Sequence, residues 1–189
     1  YPILIDEEGG KVTRLSNFLN NSLYSQKYFG DIFNTNKNIG LTVYKNYINS
    51  ISSHLRNLGI NIITSPVLDL FLKKAHKIIG SRSYSDNPVT VNTLGKACVK
   101  FYKDNKIGTV IKHIPGHGRA NADSHIKLPI VKDDLKLLKK SDFKCFVDIK
   151  SHFAMTAHIL YSKIDNLNNA THSKILIKEI IRKKIRFNG

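Results

Sequence analysis

The chain has 189 residues, 41% hydrophobic and 23% charged, with 30 Lys+Arg against 14 Asp+Glu for a formal net charge of +16, two cysteines and no tryptophan. An apolar fraction of this size over this length is enough for one sizeable core and argues against intrinsic disorder. No apolar run reaches the roughly 18 residues of a membrane span, because even the richest stretch, residues 60–72, carries Asn61, Thr64, Ser65 and Asp69.

Residues 1–6 are a short apolar run ended by Glu7-Glu8-Gly9-Gly10, which reads as a buried strand followed by a turn. Over residues 41–58, Val43, Tyr44, Tyr47, Ile48, Ile51, Leu55 and Leu58 recur at helical spacing, and Gly59 supplies the stop. Residues 60–66 with Val67-Leu68 form the next strand candidate. A second helix is expected over residues 89–102, with Leu94, Cys98, Val99 and Tyr102 on one face. Residues 109–112 are short, β-branched and apolar, and a Gly/His-rich loop follows them. A further strand is expected within residues 144–156, around Phe146-Val147 or Ala154-Met155. A last helix over residues 173–185 would bury Leu176, Ile177, Ile180 and Ile181. Strands alternating with helices in this way predict a parallel α/β sheet. No repeat, low-complexity tract or linker divides it, so a single domain is expected.

The excess positive charge is a weak guide to partners. Only Arg14, Arg56, Arg82, Arg119, Arg182 and Arg186 are arginines, and the lysines are scattered among abundant Asn and Ile, as an AT-rich coding sequence would produce. No nucleic-acid motif or basic-aromatic platform accompanies them, so neither nucleic acid nor a membrane is expected as a partner. Cys98 and Cys145 have no metal-type spacing and suit a reducing compartment. With no export signal legible near Tyr1, a cytoplasmic location is expected.

In a parallel α/β fold, chemistry collects just after the strand C-termini. The loop over residues 112–125 packs His113, His117 and His125 with Lys112, Arg119 and Asp123 around two glycines and a proline. Three histidines invite a zinc reading, but Pro115-Gly116 breaks the helix on which an i, i+4 histidine pair would bind metal, so no metal or other cofactor is expected. Asp123 and His125 form the sharper pair. In an extended loop, residues i and i+2 point the same way, so the carboxylate can orient the imidazole and stabilise its protonated form.

Six segments, in order, resemble glycoside hydrolase family 3, and specifically its β-N-acetylhexosaminidase branch. They are Ile5-Asp6-Glu7-Glu8-Gly9-Gly10-Lys11-Val12-Thr13-Arg14, Ser65-Pro66-Val67-Leu68-Asp69-Leu70, Arg82-Ser83-Tyr84, the loop over residues 112–125, Met155-Thr156-Ala157-His158 and Phe187-Asn188-Gly189. The resemblance covers essentially the whole chain. It implies an α/β fold, a TIM-type (β/α)8 barrel that residues 1–189 complete only in part, since such a barrel needs about 200 residues or more. It further implies that His125 is the general acid/base and Asp123 its partner, and that Asp6, Arg14, Arg82, Lys112 and His113 bind the sugar. His117, Asp69 and His158 are expected to be structural.

The implied reaction is retaining removal of terminal β-N-acetylglucosamine from peptidoglycan-derived muropeptides, the partner being an N-acetylglucosamine-containing saccharide. The family's nucleophilic aspartate follows the segment matching Phe187-Asn188-Gly189, so no residue of the chain is assigned that role, and a complementing C-terminal fragment is a candidate partner. An open partial barrel exposes strand edges, so poor solubility of the chain alone is expected. The alternative is a catalytically dead sugar-binding relic of a split or decaying gene.

Overall fold

The computed structural model describes residues 1–73, 78–120, 122 and 127–189. Four strands form a parallel sheet in the order β1-β2-β3-β5, with β1 at Leu4–Ile5, β2 at Ile62–Ile63, β3 at Gly108–Ile114 and β5 at Phe153–Thr156. Leu4 stands opposite Ile62, Ile62 opposite Gly108 and Val110 opposite Phe153, and the register shifts between Lys112 and Ile114. Between them run α1 (Gln26–Thr35), α2 (Lys37–Asn57) and α3 (Pro88–Asp104). A second parallel pair joins β4 (Ile130–Val131) to β6 (Leu160–Tyr161), and α4 (Leu135–Lys140) lies between β4 and β5. The helices pack on the sheet through one continuous core that includes Phe29, Tyr44, Ile48, Ile51, Leu94, Cys98, Ile111 and Phe146. This is an arc of the TIM-type (β/α)8 barrel, as expected.

Each long helix starts on a side-chain cap, which supplies an acceptor to an otherwise unpaired backbone N–H. Ser25 caps α1, Asn36 caps α2 and Asn87 caps α3, with Pro88 at the first helical position. At the end of α2 the Ile60 amide reaches back to the Leu55 carbonyl and Gly59 takes φ +75°, the left-handed stop anticipated from its glycine.

Several expectations change. The first strand is two residues long and lies at the sheet edge, so Ile3 and Leu4 are half exposed (48% and 54%) rather than buried. Of the two candidates near residue 150, Ala154-Met155 is the strand, whereas Phe143–Phe146 forms a short 3₁₀ turn that buries Phe143, Cys145 and Phe146 beneath α3. Phe153 and Met155 are also half exposed, because β5 has no strand on its outer edge among the described residues. The last helix runs over residues 174–184, close to the expected bounds, but its part Leu176–Lys184 winds with i→i+5 hydrogen bonds, and it buries Leu176, Ile180 and Ile181 while Ile177 is only partly buried. α1 and α4 have no counterpart in the sequence reading.

α1 matters to the site because of one close approach. Gly30 lies against the backbone of Tyr84, where a Cβ would collide with the Tyr84 carbonyl oxygen. That approach lets Gln26, one turn earlier, donate to the carbonyls of Val67 and Arg82 and accept from the Val67 amide. Gly30→Ala is expected to cost about 2 kcal/mol or more of stability, as overpacking at a rigid backbone contact does. Urea denaturation of the two proteins measures it.

Candidate functional site

β1, β2 and β3 end side by side, and each delivers polar groups to the same place. Asp6 follows β1, Thr64 follows β2, and Lys112 and His113 occupy the last turn of β3. Lys112 is 2% exposed. Its ammonium lies 2.7 Å from Asp6 Oδ1, 2.6 Å from Glu8 Oε1 and 3.0 Å from Thr64 Oγ1. The contacts to Asp6 and Thr64 are hydrogen bonds and the one to Glu8 is an ion pair, so the buried charge faces two carboxylates. Asp6 Oδ1 also accepts from the Thr64 hydroxyl, whereas its Oδ2 faces Arg14 at 3.7 Å on the half-open side. Burial pushes the Asp6 carboxyl up, but the bonds from Lys112 and Thr64 and the charges of Lys112 and Arg14 outweigh it and hold the group below the usual carboxylate range.

Glu8 carries a second buried carboxylate, 1% exposed. It takes the Arg82 guanidinium as a fork, Nε to Oε2 at 2.8 Å and Nη2 to Oε1 at 2.9 Å. Burial lowers the guanidinium's affinity for its proton, but Glu8 outweighs this and raises it, so Arg82 stays charged. Arg82 is placed by the short turn Gly80–Arg82, whose neighbour Tyr84 is the residue that Gly30 abuts.

The chain between Asp6 and Arg14 is shaped by Glu7. Its carboxylate accepts from the amides of Gly9 (3.0 Å), Arg14 (2.7 Å) and Leu15 (3.3 Å) and from Asn21 Nδ2 (2.7 Å). Gly9, at φ +76°, turns beneath the Tyr24 carbonyl, where a side chain would collide. Glu7 and Glu8 therefore face different tasks, one folding the loop and the other pairing the cations.

The loop after β2 supplies the third carboxylate. Leu68 N donates to the Lys112 carbonyl at 2.6 Å and Lys112 N to the Pro66 carbonyl at 3.1 Å, which fixes Asp69 beside the end of β3. Asp69 is fully buried, with Oδ2 2.6 Å from His113 Nδ1 and Oδ1 2.6 Å from the His117 amide. Burial raises its pKa, but the two histidines reverse the effect and leave it below the usual range. His117 packs its ring 5.5 Å from that of His113 and is driven below the ordinary imidazole value, first by burial. Asp69 holds His113 through Nδ1, which leaves Nε2 to other partners, and 15% of the side chain is exposed.

The structure thus brings Asp6, Arg82, Lys112 and His113 together and sets Arg14 at the rim. Asp123 and His125 lie outside the described residues. The loop leading to them is anchored at Arg119, which bonds Asp142 at 2.6 Å and Asp133 at 3.3 Å. Glu8, Thr64 and Asp69 are the polar groups whose part in the site the sequence reading did not assign. His158, expected to be structural, contacts Asn169 and Thr171 on the exposed end of β5. Among the described residues no group of three His, Cys, Asp or Glu is arranged to hold a metal ion.

Because the Asp69 carboxyl has a folded pKa below its ordinary value of 3.8, its contribution to stability is present above about pH 4 and is lost as pH falls through the lower folded value. Asp69→Asn is expected to remove about 3 kcal/mol at pH 7 and to flatten that part of the acid limb. Urea melts between pH 3 and 7 measure both effects.

Residues 2–189 match the N-terminal domain of glycosyl hydrolase family 3. The chain is 30% identical over 190 residues to a beta-hexosaminidase from Hydrogenovibrio crunogenus, covering 99% of this chain and 52% of that protein. It superposes with a TM-score of 0.90 and 30% identity on NagZ from Neisseria gonorrhoeae in complex with N-trifluoroacetyl-D-glucosamine, covering all of this chain and 56% of that one. A beta-N-acetylglucosaminidase from Thermotoga maritima superposes with a TM-score of 0.82 at 30% identity, over all of this chain and 38% of that one. The chain spans about half the length of the curated relatives it matches. It belongs to glycosyl hydrolase family 3, through that family's N-terminal domain.

Proposed function

We propose that residues 1–189 form a single, partial catalytic-barrel domain of a β-N-acetylhexosaminidase that removes terminal β-N-acetylglucosamine from peptidoglycan-derived muropeptides. The observation that carries this reading is the convergence of Asp6, Lys112, Arg82 and His113 at the ends of adjacent strands, where the Asp6 side chain stays 44% and that of His113 15% exposed. A carboxylate oxygen accepts from sugar hydroxyls, an imidazole nitrogen and the Arg14 guanidinium bond other oxygens, and the buried cations fix the acceptor in place. Support also comes from the relatives, named as beta-hexosaminidases, and from the N-trifluoroacetyl-D-glucosamine bound by the gonococcal protein.

In the reaction, His125, oriented by Asp123, protonates the glycosidic oxygen as an aspartate supplied from outside residues 1–189 attacks the anomeric carbon. The covalent glycosyl-enzyme is then hydrolysed by water that His125 deprotonates. A cytoplasmic setting suits Cys98 and Cys145, both free and buried, with burial pushing the Cys98 thiol up to about 11. No helix among the described residues is long and apolar enough to cross a membrane.

The chain is expected to bind N-acetylglucosamine, measured by calorimetry or saturation-transfer NMR, with Asp6→Ala about tenfold weaker or worse. Failure of the parent chain to bind would overturn the reading. In a protein that also carries the nucleophile segment, release of a chromophore from an aryl N-acetylglucosaminide is expected, and His125→Ala should slow it about 10²- to 10⁴-fold.

A further inference from the structure

We propose that Glu8 is a positioning residue for the sugar site, its buried carboxylate holding the Arg82 guanidinium and the Lys112 ammonium in one fixed geometry. The role rests on reading the site as saccharide-binding and adds a residue to it. Oε1 of Glu8 is shared, accepting from Arg82 Nη2 at 2.9 Å and ion-paired with Lys112 Nζ at 2.6 Å, and Oε2 takes Arg82 Nε at 2.8 Å. Two cations in contact with the same oxygen lie close enough to repel each other, and with Glu8 and Lys112 both buried the anion between them offsets that repulsion.

Asp6 cannot take over the task. Its Oδ1 is already occupied by Lys112 and Thr64, and its Oδ2 is turned toward Arg14 and the open side. Without Glu8, the ammonium of Lys112 would depend on Asp6 alone for its countercharge, and the carboxylate offered to a sugar would be drawn inward. Arg82 would lose both prongs of its fork, its one other side-chain hydrogen bond among the described residues being the 3.2 Å bond to the Ile78 carbonyl. Lysine and arginine are long and rich in rotamers, so a site that leaves them loose must order them when ligand binds, whereas Glu8 orders them beforehand. Glu7 is a useful contrast, since its oxygens are spent on loop amides and Asn21 and touch no cation of the site.

Two substitutions separate positioning from folding. Glu8→Gln removes the charge and presents an N–H to one of the cations, a change that can unfold the chain. Glu8→Asp keeps the charge but is one methylene short, so it pairs with the Arg82 fork or with Lys112 and not with both. Calorimetric titration with N-acetylglucosamine, alongside thermal melts, is the measurement. Supporting the role, folded Glu8→Asp binds about tenfold more weakly or worse than the parent. A purely structural glutamate would instead lower the melting temperature and leave the affinity of the folded protein within about twofold, and that result overturns the proposal while leaving the sugar-site reading intact. A parent chain that does not bind N-acetylglucosamine overturns both.

Discussion

A lysine ammonium buried at the end of a β-strand must be fully paired, and much of this structure follows from meeting that requirement. Lys112 sits on β3, and the carboxylates that neutralise it arrive from β1, two strands away in the sheet, with the Thr64 hydroxyl reaching it from β2 between them. An unpaired ammonium in this position would cost several kcal/mol, so the three strand ends cannot move apart or slip in register without exposing the charge to an unfavourable environment. The sheet contributes few ladder bonds there, since β1 and β2 are each two residues long. The charged cluster does at the strand ends what a longer ladder would do elsewhere.

The same requirement explains the outer supports. Glu8 neutralises Lys112 and also binds Arg82, whose backbone carbonyl is held by Gln26 of α1, and α1 reaches that point only because Gly30 has no side chain. The polar cluster and the apolar core are therefore one construction. The helix packing sets the position of Arg82, Arg82 fixes Glu8, and Glu8 with Asp6 determines where the ammonium of Lys112 rests.

How much of this is legible in the sequence depends on whether the signal is local. The spacing of Tyr44, Ile48, Ile51 and Leu55 defines α2, and that of Leu94, Cys98 and Tyr102 defines α3, because a long helix repeats its pattern several times. α1 is missed because its ten residues include Gly30, Asn34 and Thr35, poor helix formers that tertiary contacts override. Among the residues proposed to bind the sugar, Asp6, Arg14, Arg82, Lys112 and His113 lie in short motifs that the sequence displays. Glu8 and Asp69 are not, because their tasks are pairings across 74 and 44 residues of sequence. The run Glu7-Glu8-Gly9-Gly10 looks like a solvated turn, and only the fold shows that both carboxylates are buried, and on different partners.

The net charge takes on a different meaning once the site is visible. Around the strand ends, Asp6 pairs with Lys112 and faces Arg14, Glu8 pairs with Lys112 and Arg82, and Asp69 pairs with His113. These charges are paired locally although the chain carries +16. The surplus resides on exposed lysines such as Lys136, Lys139 and Lys140 on α4 and Lys174, Lys178 and Lys184 on the last helix, where water and salt screen it. In the proposed saccharide site, an added negative charge at Lys112 would compete with Asp6 and Glu8, whereas Arg14, 59% exposed, stays open to a ligand oxygen. The specificity of such a site comes from the directions of its hydrogen bonds, and those directions are set by how firmly the buried carboxylates hold the cations.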